Sequence, residues 1–210
     1  MGIARGQPGC TRGGACAAPP QLKAFIRANQ IEPGRPQLLY WLGVLYKERG
    51  DFAQGERAFA EAAALAPDYG EAWCHLAEIY YLTDRKDLAR GTFERALAAE
   101  ANSAMVHARA ARFFEATHDI DRARALLSDA MRLDPKNEVA RISALELDLE
   151  DRRYEAAIAA AEPLLATGPG ANLRNQSRLN HIAATAFDRL GDYASAFARY
   201  AEANRLQAAL

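Results

Sequence analysis

The residues able to do chemistry in this chain are few and badly placed for it. The four histidines, His75, His107, His118 and His181, lie far apart or on different helix faces. His75 and His107 stand at neighbouring register positions, yet no carboxylate or cysteine spacing around them recommends a metal. Cys10, Cys16 and Cys74 form neither a disulfide framework nor a pair of Cys-x-x-Cys knuckles, and they read as reduced thiols of a cytoplasmic protein. Acidic pairs such as Glu146 with Glu150 have the spacing of a solvated helix face. The phosphate-cradling, dinucleotide-binding, zinc-protease and nucleophile-elbow motifs are missing from the sequence. The residues therefore predict no catalysis by this chain, no cofactor and no metal.

The elements that would position any site must be helices. The chain has 210 residues, half of them hydrophobic and a quarter charged, with roughly a fifth alanine. Such a composition favours closely packed helices over sheets. A formal net charge of −1 is too small for non-specific binding of nucleic acid or an acidic membrane. No apolar run approaches the ~20 residues that span a bilayer. The first residues also lack the continuous apolar core of a secretory signal. Residues 1–20, rich in Gly, Pro, Ala and Arg, are predicted to be a disordered tail.

From Gln21 onward, helical patterns alternate with short breaks, and the arrangement recurs every 34 residues. The copies run 36–69, 70–103, 104–137 and 138–171, with a fifth at 177–210 after an insertion; residues 21–35 fit the second half of a preceding copy. Leu42-Gly43 with Tyr46, Leu76-Ala77 with Tyr80, Ala110-Ala111 with Phe114, and Ala183-Ala184 with Phe187 recur in phase. The twentieth position is always small (Gly55, Ala89, Ala123, Ala157, Ala196), and the twenty-fourth carries Phe59, Phe93, Leu127, Ala161 and Tyr200. Small residues at the eighth and twentieth positions let two antiparallel helices approach, while the rings fill the space beside them. One such hairpin cannot bury its apolar stripe alone, so neighbours must stack. Glycine at Gly50 and Gly191 ends a first helix and the following aspartate starts the second. Asp84, His118 and Arg152 occupy the glycine's place in the middle copies, where a left-handed conformation costs about 1 kcal/mol, so those turns are expected to open slightly differently. Copy four departs most, with Arg141, Asp148 and Ala161 at ring or large apolar positions, and a looser layer is expected there. The insertion predicts a bent or lengthened first helix over Leu173–Leu190.

These residues resemble the tetratricopeptide repeat, whose pattern the spacing follows over 36–210. The resemblance implies an all-α fold, an α-α superhelix or solenoid of about five hairpins plus the half-repeat, and a non-enzymatic scaffold docking a protein or peptide partner. In that family the concave face is lined by the first helices, at the second, fifth, ninth and twelfth positions. Here those are Gln37, Tyr40, Val44 and Lys47; Glu71, Cys74, Glu78 and Tyr81; Met105, Ala108, Arg112 and Glu115; Val139, Ile142, Glu146 and Leu149; and Arg178, His181, Thr185 and Asp188. Tyr40, Tyr81 and Arg112 are the expected anchors. The lysine and asparagine clamp by which some members hold a chaperone's terminal carboxylate is not matched by Tyr40, Val44, Cys74 and Glu78.

The stretch from Asn180 to Arg205 also resembles the last hairpin of bacterial proteins in which such repeats precede a sulfotransferase domain. It implies an alternative, the recruiting fragment of a larger transferase. Finally, the fifth copy offers no polar capping helix after it. Partial exposure of Tyr200 and Leu206 is expected, with cover from a downstream domain or from a homodimer through the C-terminal repeat.

Overall fold

The computed structural model describes residues 20–166 and 172–210. Nearly all of the predicted tail, with Cys10 and Cys16, and the Gly168-Pro169-Gly170 segment lie outside the described residues. The rest forms eleven helices: α1 Pro20–Ile31, α2 Pro36–Glu48, α3 Phe52–Leu65, α4 Gly70–Leu82, α5 Lys86–Ala99, α6 Ala104–Ala116, α7 Ile120–Leu133, α8 Glu138–Glu150, α9 Tyr154–Leu165, α10 Leu173–Leu190 and α11 Tyr193–Ala208. Among the described residues there is no strand. The fold is the all-α class of stacked helical hairpins read from the sequence, with the half-repeat present as α1.

Helix ends follow from short-range chemistry. Asp51 accepts a hydrogen bond from the Gln54 amide and Asp192 from that of Ser195, which satisfies orphan donors of the first turn. Ser103, Asn137 and Asn172 do the same for α6, α8 and α10. At the turn inside each hairpin the chain goes left-handed, with φ of 74° at Gly50 and 84° at Gly191. Asp84, His118 and Arg152 take φ of 59°, 61° and 60° at the same place. The turn geometry is therefore kept in every copy, and three copies carry its steric cost.

Two compact units are formed, one up to Arg95 and the other from Ala96. In the first, Leu39, Tyr40, Phe59, Ala62, Leu76 and Ile79 are buried together, and Leu22 of α1 packs with Leu42 and Ala58. Gly43 is there because nothing larger fits: a Cβ at that position would stand 2.7 Å from the Phe59 ring, a ring that is itself fully buried. This is the close approach that the eighth position of the frame predicts.

In the second unit, Ile142, Leu145, Ala157, Ala161, Leu164, Leu179 and Ile182 form a core. Copy four lacks the rings found elsewhere, as expected. Asp148, at a ring position, instead takes the Arg153 guanidinium, with Nε at 3.1 Å. The Ser143 hydroxyl is fully buried without a hydrogen-bond partner. Leu179 and Ile182 reach this layer from α10, which at 18 residues is longer than the 13-residue first helices α2, α4, α6 and α8. The insertion thus lengthens a helix. Pro163 sits inside α9, a position the repeat pattern gives no reason to expect; it removes one backbone donor from the last turns.

Candidate functional site: the faces of the first helices

The first helices α2, α4, α6 and α8 run about three and a half turns and α10 about five, so the second, fifth, ninth and twelfth frame positions share one side of each. Within the first unit, α2 and α4 meet along this side. The twelfth residue of one helix touches the ninth of the next: Lys47 donates to the Glu78 carboxylate. Lys47 Nζ is also 2.8 Å from His75 Nδ1, which lies 3.0 Å from Glu78 Oε2. His75 is buried, stacked on Phe59 with ring centroids 5.1 Å apart, with the Tyr40 ring edge-on to it. The Tyr40 hydroxyl donates to Glu71 at 3.2 Å. Lysine, histidine and carboxylate satisfy one another here. Val44 and Tyr81 flank them, half-buried.

Within the second unit, α6, α8 and α10 present a differently charged side. Arg112 is exposed, and Glu115, Glu146 and Leu149 are half-buried. Burial, first of all, and then the nearby charges of Glu146 and Glu150 push the Glu115 carboxyl above the usual carboxylate range, against the opposing pull of Arg112 and Arg178. Arg178 of α10 holds both oxygens of Glu146 at 2.7 Å. A recess of about 580 Å³ is lined by Leu149, Glu150, Arg152, Tyr154, Thr185 and Arg189. A smaller one of about 300 Å³ lies against Glu146, Arg178, His181 and Gln207. Thr185 and the Tyr200 hydroxyl are 3.2 Å apart, and His181 meets the Tyr200 ring edge.

The fifth-position residues behave otherwise than the resemblance implies. Tyr40, Cys74, Ala108 and Ile142 are buried; their side chains pack inward and a partner does not reach them. Of this set His181 alone is exposed. Tyr40 donates to Glu71 and sets its ring against His75. The ninth and twelfth positions keep solvent access: Val44, Lys47, Glu78, Tyr81, Arg112, Glu115, Glu146, Leu149, Thr185 and Asp188. Sequence reasoning missed Glu150 and Arg189, whose signal was only their place one residue beyond the chosen positions. At the fifth copy Tyr200 is partly exposed, as expected, whereas the expectation for Leu206 is corrected, since it is buried; Tyr193 and Phe197 are the exposed rings. The frame aligns Leu206 with the inner side of the hairpin, where it packs.

Among the described residues no group of three or more His, Cys, Asp or Glu side chains is arranged to hold a metal ion. Among them, no helix is long and apolar enough to cross a membrane.

Stacked antiparallel helix pairs with small residues at the crossing and a charged first-helix side define a helical-hairpin repeat protein. Residues 46–112 match the family described as tetratricopeptide repeat, and that stretch carries repeats of the family. Its fold is similar to several solved structures. One is that of the APC/C hetero-tetramer Cut9–Hcn1, with a TM-score of 0.79 at 15% identity, covering 89% of this chain and 36% of that one. This chain thus spans about a third of that protein. Another is BtubC from P. vanneervenii, with a TM-score of 0.70 at 20% identity, covering 90% of this chain and 87% of that one. A third is YrrB, described as a tetratricopeptide-repeat protein with an unusual peptide-binding site, with a TM-score of 0.58 at 14% identity, covering 89% and 93% of the two chains. No curated protein matches the chain in sequence.

Proposed function

We propose that this protein is a non-enzymatic scaffold whose second unit docks an extended or helical segment of a partner protein on the side formed by α6, α8 and α10. One observation carries the reading. Glu115 is a half-buried carboxylate kept near two further acids, Glu146 and Glu150, and Glu150 lines a recess with an apolar wall at Leu149 and Tyr154. Holding like charges together there opposes folding stability, and a cationic side chain of a partner would relieve it. Arg112 and Arg178 frame the acids and fix where such a cation sits. The first unit's Lys47, Glu78 and Tyr81 form a second, internally neutralised surface that gives a partner fewer unmet charges. A peptide-binding site in a protein of similar fold is in keeping with the proposal, as are the non-catalytic scaffold roles typical of the family. No feature described above favours the transferase alternative.

Partner capture followed by mass spectrometry identifies the ligand. Glu115→Gln and Arg112→Ala should each weaken that partner, while Arg57→Ala on exposed α3 should not. Stronger loss from Arg57→Ala than from either of the other two would overturn the assignment.

A further inference from the structure

Equivalent register positions of successive first helices carry different chemistry. The twelfth position of one copy and the ninth of the next hold Lys47 and Glu78 in the first two copies, but Leu149 and Thr185 in the last two. Lys47 and Glu78 bridge α2 and α4 with an ion pair. Leu149 and Thr185 have no charge to bridge with, and the Thr185 hydroxyl donates back to the His181 carbonyl of its own helix at 2.9 Å. The recess of about 580 Å³ lies against these two residues, with half-buried Leu149 and Tyr154 as its apolar wall. Its charged lining comes from the fifteenth position of copy four and the thirteenth of copy five. In the earlier pairs of copies those positions hold Gly50 and Leu82, Asp84 and Ala116, and His118 and Glu150. In the last pair both are arginines, Arg152 and Arg189.

Other arginines of this unit are engaged. Arg153 is taken by Asp148 and Asp151, and Arg178 by Glu146. Asp151, the acid beside Arg152 in sequence, is already held by Arg124 and Arg153. The Arg152 and Arg189 guanidinium groups make no hydrogen bond or ion pair among the described residues, and both side chains are exposed. The left-handed turn, with φ of 60° at Arg152, fixes where the first of them leaves the backbone. Against the two arginines the lining sets one acid, Glu150.

We propose that this recess takes an aspartate or glutamate side chain of the docked partner segment, between Arg152 and Arg189. The proposal rests on the docking side assigned above and adds an acid to the cation already expected at Glu115. Charge selects the ligand. Two arginines less one glutamate leave a single positive charge, which one carboxylate neutralises, whereas a phosphate dianion would bring excess negative charge beside Glu150. The wall of Leu149 and Tyr154 suits the methylene stem of such a side chain. Glu146 and Arg152 are about 9 Å apart along α8 and its turn at about 1.5 Å per residue. An extended segment covers that length in roughly three residues. The partner is therefore read as a base and an acid at one short, fixed spacing.

Short random peptides displayed on phage and selected on the immobilised full chain are the probe. Peptides selected by the wild type should carry a base and an acid at one preferred spacing. Selection on the double variant Arg152→Gly with Arg189→Gln should keep the base and lose the acid, and Glu115→Gln should do the opposite. Glycine suits the left-handed turn and Arg189 is exposed, so circular dichroism should be unchanged. A synthetic peptide of the wild-type selection should bind the double variant at least ~tenfold more weakly. Arg189→Glu should exchange the selected acid for a base, which a merely structural arginine would not do. Wild-type peptides with a base but no acid overturn this proposal and leave the docking side standing. Peptides with an acid but no base keep the recess and overturn the docking side. No enrichment, or an acid that survives the double variant, overturns the proposal, and so does tighter binding when phosphoserine replaces the acid.

Discussion

The first-helix sides of the two units are built from the same frame positions but resolve their charges in opposite ways. In α2 and α4 the lysine at the twelfth position finds the glutamate at the ninth position of the next helix, and a buried histidine completes the set. In α6 and α8 the twelfth position is itself an acid, Glu115, and it faces further acids. Arg178, brought to Glu146 by α10, pairs with one of them, and Arg112 pulls on Glu115 from its own helix. The lesson is that repeat geometry decides which residues meet, and the residue types at two positions decide whether the meeting stabilises the fold or is left for a partner.

Breaking the first unit's core should have the largest effect. Phe59→Ala removes the ring that supports both Gly43 and His75 and should cost about 3–5 kcal/mol, read as a loss of denaturation midpoint. Ala161, at the equivalent position of α9, has no ring to lose. Gly43→Ala should cost about 1–3 kcal/mol by pushing a Cβ into that buried ring. An unchanged midpoint would show that the hairpin opens freely. Replacing the left-handed Asp84, His118 or Arg152 by glycine should act in the other direction, raising stability by up to about 1 kcal/mol per site. These three substitutions test whether the turns of both units carry the same strain.

The smallest effect sharpens the electrostatic contrast. The Glu115 pKa is raised in the folded state, so the group favours folding below its ordinary range and opposes folding once it ionises as pH rises through the folded value. Glu115→Gln should therefore raise the thermal midpoint at pH 7, and the gain should vanish below about pH 4, where both states are protonated. Lys47→Met should do the reverse at pH 7, because it leaves Glu78 and His75 without their shared partner. Equal responses from the two sites would erase the distinction between the units.

Much of the fold was legible because the 34-residue period ties each residue type to one place in a hairpin. Gly43, Gly50, Asp51 and Ala89 each signal a close approach, a turn or a cap with a single physical meaning. The turns at Asp84, His118 and Arg152, expected to open differently, keep the left-handed geometry of the glycine copies, because position outweighs residue type there. The site was less legible. A list of frame positions does not say which side chains the neighbouring hairpin covers, so Cys74, Ala108 and Ile142 looked available and are buried. Burial of a surface residue depends on what stacks against it, and that is a property of pairs of copies. Glu150 and Arg189 escaped for the same reason, since they become wall residues only where α10 passes α8 and α9.

The hold of Arg178 Nη2 on both oxygens of Glu146 also governs how a ligand can arrive. A cation that binds Glu146 must displace a guanidinium already seated there, so binding is an exchange of one ion pair for another. The number of screened charges barely changes in such an exchange, and raising the ionic strength weakens the incoming and outgoing pairs alike. Recognition at this spot should thus be set by shape and by the second acid, Glu115, and should respond only shallowly to salt.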